Sequence, residues 1–281
     1  MSKRSRERSL ATNVAPPRDP GGSARVKRRA PYQNALVTGA SAGLGRGLSL
    51  ALAARGAHVV VAARRRAELD AVVEIITTRG GSAEALVLDC GDADAVHAEV
   101  SALDARLPLD LVVANAGLGG GTPGRDLRWS DTRDILQLNV LGTAATLSAA
   151  VPGMVARRRG HLVAVASLAG LRGLPGAAAY SASKAAIRTF VESLRIDLRD
   201  VGVTVTAVSP GYVRTAMTAS HQGPMPFLME IDPAVRIIVR SLEERRDSCE
   251  FPWSMATLAR LGALLPASTF EWLARRARFP T

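Results

Sequence analysis

From Asn34 onward the chain alternates short apolar runs with longer segments of helical length. The apolar runs are continuous rather than interleaved with polar residues, which is typical of strands that are covered on both faces. These runs occupy residues 34–38, 58–63, 85–89, 109–115, 161–167 and 203–209. The helical segments occupy residues 44–55, 66–79, 93–106, 131–156, 181–200 and 233–246. The alternation predicts an α/β fold built on a doubly wound parallel sheet.

The domain organisation follows from composition. Residues 1–31 carry nine Lys or Arg against Glu7 and Asp19, so they supply +7 of the net charge of +11. Their Ser, Pro and Gly content, without a hydrophobic period, predicts a disordered basic tail. Residues 32–250 form the predicted single domain, and residues 251–281 a C-terminal helical extension. The tail is interpreted either as a solvated extension or as a weak contact with anionic lipid or nucleic acid.

Several classes of protein do not fit this composition. Cys90 and Cys249 lie far apart and match no redox or metal spacing, which favours a reducing compartment and a cytoplasmic location. The first residues lack the apolar stretch of a signal peptide. The uncharged run at 140–156 is too short and too interrupted to predict a membrane span. His58, His97, His161 and His221 show no mutual metal spacing, so no metal site is predicted.

A glycine-rich loop follows the first predicted strand. In LVTGASAGLGRG, residues Gly39, Gly43 and Gly45 have the spacing G-x-x-x-G-x-G and open a helix. Glycines permit the tight turn and let a pyrophosphate approach the free N–H groups of the helix N-terminus. This position between a strand and a helix predicts a dinucleotide-binding site in a Rossmann-like fold.

The end of the second predicted strand indicates which dinucleotide fits. An NAD site usually has an acidic residue there to bind the ribose hydroxyl, whereas the 2′-phosphate of NADP needs cations. Here Ala62 and Ala63 are followed by Arg64, Arg65 and Arg66. Arginine binds phosphate through several N–H groups, so the segment predicts NADP rather than NAD. The alternative is a helix start with solvated arginines.

A tyrosine and a lysine lie four residues apart in YSASK, at 180–184. That spacing puts Tyr180 and Lys184 on one face of a helix. A free phenol has a pKa of about 10, which is too high for efficient proton exchange at neutral pH. An ammonium nearby stabilises the phenolate and lowers this pKa. The pair therefore predicts a tyrosine that exchanges a proton with a substrate.

Together these motifs resemble the short-chain dehydrogenase/reductase family over about residues 34–250. The resemblance rests on TGASAGLG at 38–45, ANAG at 114–117, Asn139, Ser167, YSASK and PGYVRT at 210–215. Ser167 precedes Tyr180 by 13 residues, and Asn139 precedes Ser167 by 28, intervals that suit the family. One departure is Ala114, where the family often has Asn before NAG. The side chain lost there is interpreted as structural.

The resemblance implies roles for particular residues. Tyr180 would be the acid/base, Lys184 would lower its pKa and hold the nicotinamide ribose, and Ser167 would bind the substrate oxygen. Asn139 would support a water-linked proton path to Lys184. Asp89 would bind the adenine amino group, Asn115 and Gly117 would line the adenosine side, and Val213 and Thr215 would meet the nicotinamide. The predicted cofactor-binding set is Gly39, Ser41, Gly43, Leu44, Gly45, Arg64, Asp89, Asn115, Gly117, Tyr180, Lys184, Val213 and Thr215.

Two segments bear on the substrate and partners. Five residues form an adaptable apolar wall after the PG motif: Met217, Met225, Phe227, Leu228 and Met229. They favour an apolar substrate, although they could equally pack a lid on the domain. Two short helices follow, with apolar positions at Met255, Leu258, Leu261, Leu265, Phe270, Trp272 and Leu273. These helices could pack on the domain, join a homo-oligomer, or contact an anionic membrane surface.

The sequence therefore predicts an oxidoreductase that transfers a hydride between NADP(H) and an apolar carbonyl or alcohol, such as a ketone, an aldehyde, or a steroid- or lipid-like compound. The alternative is a nucleotide-binding regulatory or scaffold protein that kept the fold. The intact set of Asn139, Ser167, Tyr180 and Lys184 favours the enzyme, because a scaffold has no chemical need for it. Nucleic acid as a specific partner lacks any motif. A homo-oligomer is implied by the resemblance alone, through the helices at 131–156 and 181–200.

Overall fold

The structure, a computed structural model, describes residues 32–219 and 223–276, so the predicted tail at 1–31 and His221 lie outside the described residues. Seven parallel strands form one sheet in the order β3-β2-β1-β4-β5-β6-β7. The strands are β1 (Asn34–Thr38), β2 (His58–Ala63), β3 (Ser82–Val87), β4 (Leu111–Ala114), β5 (Gly160–Val165), β6 (Val203–Pro210) and β7 (Ser248–Phe251).

Helices connect and cover these strands. In chain order they are α1 (Gly43–Ala53), α2 (Arg66–Thr78), α3 (Ala93–Arg106), α4 (Trp129–Leu136), α5 (Thr143–Ala156), α6 (Ala178–Leu198), α7 (Ala216–Ala219), α8 (Ile231–Glu243), α9 (Trp253–Leu264) and α10 (Ala267–Arg276). The predicted doubly wound parallel fold is confirmed. The helix predicted over 131–156 is interrupted by a π-helical turn, Gln137–Gly142, between α4 and α5.

The hydrophobic core lies on both faces of the sheet, which explains why the strand sequences are continuously apolar. Helices α1, α2 and α8 cover one face, with Leu48, Leu69 and Ile238 fully buried. Helices α3, α5 and α6 cover the other face, where Leu147 and Ile187 are fully buried as well. Adjacent strand residues point to opposite faces, as the pleat requires.

The helical run Trp129–Ala156 is long and apolar enough to cross a membrane, judged by length and composition alone. In the structure α5 packs against α3, and α4 packs against α6. Residues of α5 such as Leu147 and Met154 are fully buried in the core under the sheet. We therefore assign this run to the core of the domain.

The parallel order brings the carboxyl ends of the strands to one edge of the sheet. Strand β1 has β2 on one side and β4 on the other, so the chain reverses its winding direction between β1 and β4. Ligands bind at such a switch point in open α/β sheets. The loops after β1 and β4, which contain the glycine motif and ANAG, therefore meet there.

Candidate active site

The loop between β1 and α1 has the backbone that its glycines allow. Gly39 and Gly43 have φ angles of 65° and 55°, in the left-handed region that favours glycine. A Cβ on Gly45 would lie 2.2 Å from the carbonyl oxygen of Gly39. No side chain caps the N-terminus of α1, and its first turn contains no acidic residue. The first N–H groups of α1 are therefore left for an anionic ligand.

Thr38 and Asn115 hold this loop against the end of β4. The Thr38 hydroxyl accepts hydrogen bonds from the N–H groups of Asn115 and Ala116, at 3.0 and 3.1 Å. The Asn115 side chain donates to the carbonyls of Thr38 and Gly39, at 2.9 and 3.3 Å. Asn115 was predicted to line the adenosine side of the site, and in the structure its amide braces the phosphate loop.

Two more predicted cofactor residues lie in the same loop. Ser41 is half-buried there. The side chain of Leu44 packs against the core under α1, so only its backbone faces the space that the loop encloses. Together with the three glycines, they make up the loop that leads into the N-terminus of α1. At Gly39 and Gly45 the backbone lies so close to neighbouring atoms that a Cβ would collide with them, so only glycine fits this tight turn. A tight glycine turn that leads into a helix N-terminus fits a pyrophosphate.

Ser167, Tyr180 and Lys184 meet at the carboxyl end of β5. The Ser167 hydroxyl caps the short turn Leu168–Gly170 by accepting from the N–H of Ala169, at 3.1 Å. Tyr180 hydrogen-bonds with Ser167. The Lys184 ammonium lies 5.7 Å from the centre of the Tyr180 ring. The structure therefore brings three predicted catalytic side chains together.

Lys184 is held in place from the sheet side. Its Nζ donates a hydrogen bond of 2.9 Å to the carbonyl of Val165, the last residue of β5. The side chain is buried, and burial lowers the pKa of Lys184 to about 8. The ammonium form still predominates at neutral pH, because that pKa lies above 7.

The pKa of Tyr180 is raised, whereas the sequence predicted that it would be lowered. Burial raises the pKa of Tyr180, and the neighbouring Tyr212 acts in the same direction, while the hydrogen bond with Ser167 lowers it. The predicted net lowering by Lys184 is therefore wrong for the protein alone, in which desolvation of the phenol is the largest effect. The proton remains on Tyr180 at neutral pH, and this is the form that donates a proton to a carbonyl oxygen.

Asn139 lies fully buried in the π-helical turn, a type of local widening that is frequent at functional sites. Its Oδ1 accepts from the Leu118 N–H at 2.7 Å, and its Nδ2 donates to the Leu118 carbonyl at 2.9 Å. The same Nδ2 also donates to the Ser183 hydroxyl at 3.0 Å. Asn139 therefore links the segment after β4 to helix α6. Its predicted part in a proton path to Lys184 stays a prediction.

Gly117 lies between these groups. A Cβ built on it would be 3.3 Å from Oδ1 of Asn139 and 3.5 Å from Nζ of Lys184. This position is nearer to Lys184 than the resemblance implied, which placed Gly117 on the adenosine side. A side chain there would occupy the space in front of Lys184.

Sequence reasoning missed Ser183 and Thr122. Ser183 donates to the carbonyl of Tyr180 at 2.7 Å and accepts from Asn139, so it joins two predicted catalytic residues. The Thr122 hydroxyl accepts from the N–H of Ala179 in the first turn of α6, at 3.1 Å. The only signal for Ser183 was its place inside YSASK, among other small residues. Thr122 had no signal in its glycine-rich surroundings.

At the other end of the site, Arg64 and Asp89 both lie close enough to the Cys90 thiol to act on its pKa. Arg64 is exposed just after β2, and Asp89 is exposed two residues after β3. Asp89 accepts from the N–H of Gly91 through Oδ1, at 2.9 Å. Burial raises the pKa of Cys90 to about 11, which is the behaviour of a packed thiol rather than of a nucleophile.

The three consecutive arginines are not equivalent. Arg65 pairs with Glu68 at 3.1 Å, and Arg66 pairs with Asp70 at 2.8 Å, both within α2 and its cap. Within residues 32–219 and 223–276, Arg64 has no such carboxylate partner. Its guanidinium is therefore the one that fits a phosphate at the end of β2.

The PGYVRT segment runs along the site towards the glycine loop. Val213 is buried and pairs with Met229 in an isolated bridge. Thr215 lies opposite Gly43, where a Cβ would be 3.3 Å from the threonine methyl. Thr215 therefore contacts the phosphate loop, while its predicted bond to a nicotinamide stays a prediction.

The predicted apolar wall is divided in the structure. Met217 lies across the mouth of the site against Gly119, where a Cβ would be 2.7 Å from its Cγ. Met217 and Phe227 are both about half exposed. Met229 packs against the core instead, and Met225 and Leu228 are half-buried. Part of the wall is therefore available to a ligand and part supports the domain.

No group of three metal-ligating side chains is found within residues 32–219 and 223–276. His161 is buried between Tyr32 and Thr206, and His58 hydrogen-bonds Ser82. The donors that the site presents are backbone N–H groups, hydroxyls, an ammonium and a guanidinium. Such a set fits a phosphorylated dinucleotide rather than a metal ion.

Comparison with known proteins gives consistent results. The model of the short chain dehydrogenase family matches residues 33–224. An oxidoreductase of Myxococcus xanthus, described as uncharacterized, is 51% identical over 248 residues, covering 88% of this chain and 98% of that protein. A 3-oxoacyl-[acyl-carrier-protein] reductase of Synechocystis is 38% identical over 188 residues, covering 66% of this chain and 76% of that protein.

Solved structures agree as well. A metagenomic short-chain oxidoreductase in complex with NADP has a TM-score of 0.67 at 32% identity, over 78% of this chain and 95% of that one. A short-chain dehydrogenase from Sphingobium yanoikuyae in complex with NADPH has a TM-score of 0.75 at 25% identity. The match covers 89% of this chain and 98% of that one. With its parallel sheet and glycine loop, the chain belongs to the short-chain dehydrogenase/reductase family of NAD(P)-dependent oxidoreductases.

Proposed function

We propose that the protein is an NADPH-dependent reductase of apolar ketones or aldehydes. The observation that carries this proposal is the contact of Tyr180 with both Ser167 and Lys184, beside the glycine loop. A protonated phenol, a hydroxyl and an ammonium are the groups that carbonyl reduction requires at one place. The reverse reaction, oxidation of the alcohol, uses the same groups.

The chemistry divides between cofactor and protein. Bound NADPH supplies the hydride to the carbonyl carbon. Tyr180 gives its proton to the carbonyl oxygen, which Ser167 holds by a hydrogen bond. Lys184 stabilises the phenolate left on Tyr180, because its ammonium is fixed above the ring by the carbonyl of Val165. Asn139 and Ser183 keep α6 in position.

NADP is favoured over NAD by the end of β2. The strand ends in Ala62 and Ala63, with no carboxylate to receive a ribose 2′-hydroxyl. Arg64 follows with an exposed guanidinium that can bind the 2′-phosphate through two N–H groups. The NADP and NADPH complexes of two relatives support the same choice.

An apolar substrate is favoured by the mouth of the site. Met217 presents apolar surface there, beside Gly119, and Phe227 is an exposed apolar residue of the segment that follows. A thioether and a ring adapt to apolar ligands of varied shape. The Synechocystis relative, named for a 3-oxoacyl substrate, provides an example of a carbonyl attached to an apolar chain.

The same proposal includes a homo-oligomer in the cytoplasm. Helices α4 and α6 and the π-helical turn expose Trp129, Leu141 and Ile196, apolar side chains that a second copy could cover. Sedimentation equilibrium tests this part. A single species at the mass of one chain would contradict it.

The experiment follows NADPH absorbance with purified protein over a panel of apolar ketones and aldehydes, with NADH in parallel. We expect turnover with NADPH that falls at least a hundredfold in Tyr180→Phe, while NADPH binding, measured by fluorescence, is retained. NADPH binding without turnover in either direction over a broad panel would contradict the enzyme and favour the scaffold.

A further inference from the structure

Apart from Met255, helix α9 has its small residues on the inward side and its large apolar residues on the outward side. Ala256 is buried, and Ala259, Gly262 and Ala263 are half-buried against the domain. On the outward side Trp253 and Leu264 are 79% and 82% exposed. An ordinary surface helix has the opposite arrangement, with large apolar residues towards the core.

The exposed apolar residues of α9 form one stripe. Trp253, Leu261 and Leu264 lie along one side of the helix, with the polar Thr257 one turn after Trp253 on the same side. Leu258, also exposed, lies beside Leu261 on the same half of the helix. A contiguous apolar surface of this kind marks an interaction site.

Helix α10, whose Phe270 lies near Gly262 of α9, also has exposed apolar residues. Trp272 and Leu273 are exposed, and the Arg276 guanidinium is stacked 3.8 Å from the centre of the Trp272 ring. Arg275 precedes it on the same helix. The apolar residues of α10 are thus accompanied by two cations and one acid, Glu271.

A cation-rich cavity opens beside Trp253. It lies between α8, β7 and α9, has a volume of about 470 Å³, and is lined by Arg240, Arg246 and Arg260. Their carboxylate partners are Glu244, shared by the first two, and Glu250. Glu250 also pairs with Arg188 at 3.0 Å. The cavity lining itself contains three arginines and one carboxylate, Glu250, so it carries a net positive charge.

We propose that the outer surfaces of α9 and α10, with the cavity beside Trp253, bind an anionic lipid bilayer. This surface is named the α9–α10 face. Tryptophan suits the boundary between headgroups and acyl chains, and leucines insert just below it. The arginines beside the stripe meet the negative headgroups.

The charge distribution favours a bilayer over a second copy of the chain. Two copies that met through this face by two-fold symmetry would each bring the same patch to the contact. The arginine-lined cavities would then approach one another and repel. A bilayer that contains anionic lipid instead supplies opposite charge along the whole face.

The α9–α10 face is joined to the candidate active site. Helix α9 packs on the turn Leu168–Gly170 that follows Ser167. A Cβ on Gly211, in the PGYVRT segment, would lie 2.6 Å from the sulfur of Met255 on the same helix. The mouth of the site therefore lies near a surface that contacts the bilayer, where apolar substrates dissolve. The binding itself does not depend on the proposed reductase activity.

The test is vesicle flotation of the full chain, with phosphatidylcholine vesicles and with vesicles containing 30% phosphatidylglycerol. The test variant is Trp253→Ser with Leu264→Ser. Its control is Leu127→Ser with Val87→Ser, two apolar side chains that are 55% and 50% exposed elsewhere on the domain. The basic residues 1–31 are the same in all three proteins, so their attraction to anionic lipid does not affect the comparison.

We expect the test variant to bind the anionic vesicles at least tenfold more weakly than the unchanged protein, and the control to stay within twofold. Brominated lipids should quench tryptophan emission in the unchanged protein and the control, but less in the test variant. Equal binding of all three proteins would overturn the proposal and assign the attraction to the tail. Equal binding together with a smaller oligomer in the test variant would overturn it in favour of a second copy.

A charge variant provides a second measurement. Arg275→Gln with Arg276→Gln leaves the stripe on α9 intact, and we expect it to lower binding to the anionic vesicles at least threefold without changing binding to pure phosphatidylcholine. Unchanged binding to both kinds of vesicle would contradict the role of headgroup charge. Thermal unfolding checks that each variant is folded.

Discussion

The guanidinium of Arg172 lies 4.6 Å from the centre of the Phe270 ring and donates hydrogen bonds to the carbonyls of Ala263 and Leu265, each 3.0 Å long. Arg172 belongs to the segment between Ser167 and Tyr180, whereas the two carbonyls lie at the end of α9 and the ring lies in α10. A single side chain thus joins the segment between Ser167 and Tyr180 to both C-terminal helices.

Arg172→Ala should loosen the two C-terminal helices. The substitution removes a cation–π contact and leaves two carbonyls at the end of α9 without their donor, which we expect to lower the free energy of unfolding by about 2 kcal/mol. Hydrogen exchange should accelerate over 253–276 and stay unchanged in β4 and β5. Arg199→Ala, an exposed arginine at the end of α6, is the control. Equal exchange in both variants would contradict the coupling.

Arg64→Ala should weaken NADPH binding selectively. The substitution removes the charged hydrogen bonds that we propose for the 2′-phosphate, so the Kd for NADPH should rise about tenfold to a hundredfold while that for NADH stays the same. Arg65→Ala is a matched control, because its guanidinium pairs with Glu68. Fluorescence titration with both nucleotides measures the effect. A similar loss in the two variants would argue that the arginines act only through general charge.

Lys184→Met should stabilise the fold and abolish turnover. Burial lowers the pKa of Lys184 from 10.5 to about 8, so the unfolded chain holds this proton up to a higher pH than the folded one. The resulting destabilisation develops as the pH falls from 10.5 to 8 and is complete below that range, at about 3 kcal/mol. Urea unfolding should therefore show a more stable variant at pH 7, with little difference near pH 10.5. A gain that is independent of pH, or a loss at pH 7, would refute this linkage.

The central strands could be predicted because each is covered on both faces, which leaves a continuous apolar run such as HVVVAA in β2. Strand β7 was missed, since SCEF at the sheet edge contains two exposed or half-buried polar residues and has no such pattern. Helix α9 was expected to have an apolar stripe, but which side faces outward depends on packing against Gly211 and the turn after Ser167.

Within the site, the side chains that form motifs could be predicted and their environment could not. Tyr180 and Lys184 were identified by spacing, yet the pKa of Tyr180 is raised because neighbouring elements bury the phenol. The link from Asn139 through Ser183 depends on a π-helical turn that residue types do not reveal. Arg65 pairs with Glu68, a carboxylate one helical turn away, and Arg64 has no such partner in the part of the chain that the structure describes.

Gly142→Ala should be destabilising although the backbone there is helical. Gly142 has φ −60° and ψ −39°, a conformation that alanine adopts readily. The added Cβ would lie 2.0 Å from the carbonyl oxygen of Cys90, so α5 must move away from the loop before α3. We expect a loss of about 1–3 kcal/mol and, because Gly142 closes the turn that holds Asn139, reduced turnover as well. Gly124→Ala is the control, since its Cβ meets nothing within 4 Å. Equal unfolding midpoints would contradict the close approach.

His161→Gln should reduce the sensitivity of the fold to acid. His161 is buried between the hydroxyls of Tyr32 and Thr206, with both ring nitrogens 2.7 Å from an oxygen, and burial lowers the pKa of His161 to about 3. The unfolded chain takes up this proton near pH 6.5, whereas the folded protein does so only near pH 3. The neutral ring therefore makes its full contribution to the free energy of unfolding above about pH 6.5. Below pH 6.5 this contribution falls by about 1.4 kcal/mol for each pH unit. Urea unfolding between pH 4 and 7.5 should show a shallower dependence in the variant by about one proton. His97→Gln, at an exposed position of α3, should leave the slope unchanged, and an unchanged slope in His161→Gln would place the acid sensitivity in other groups.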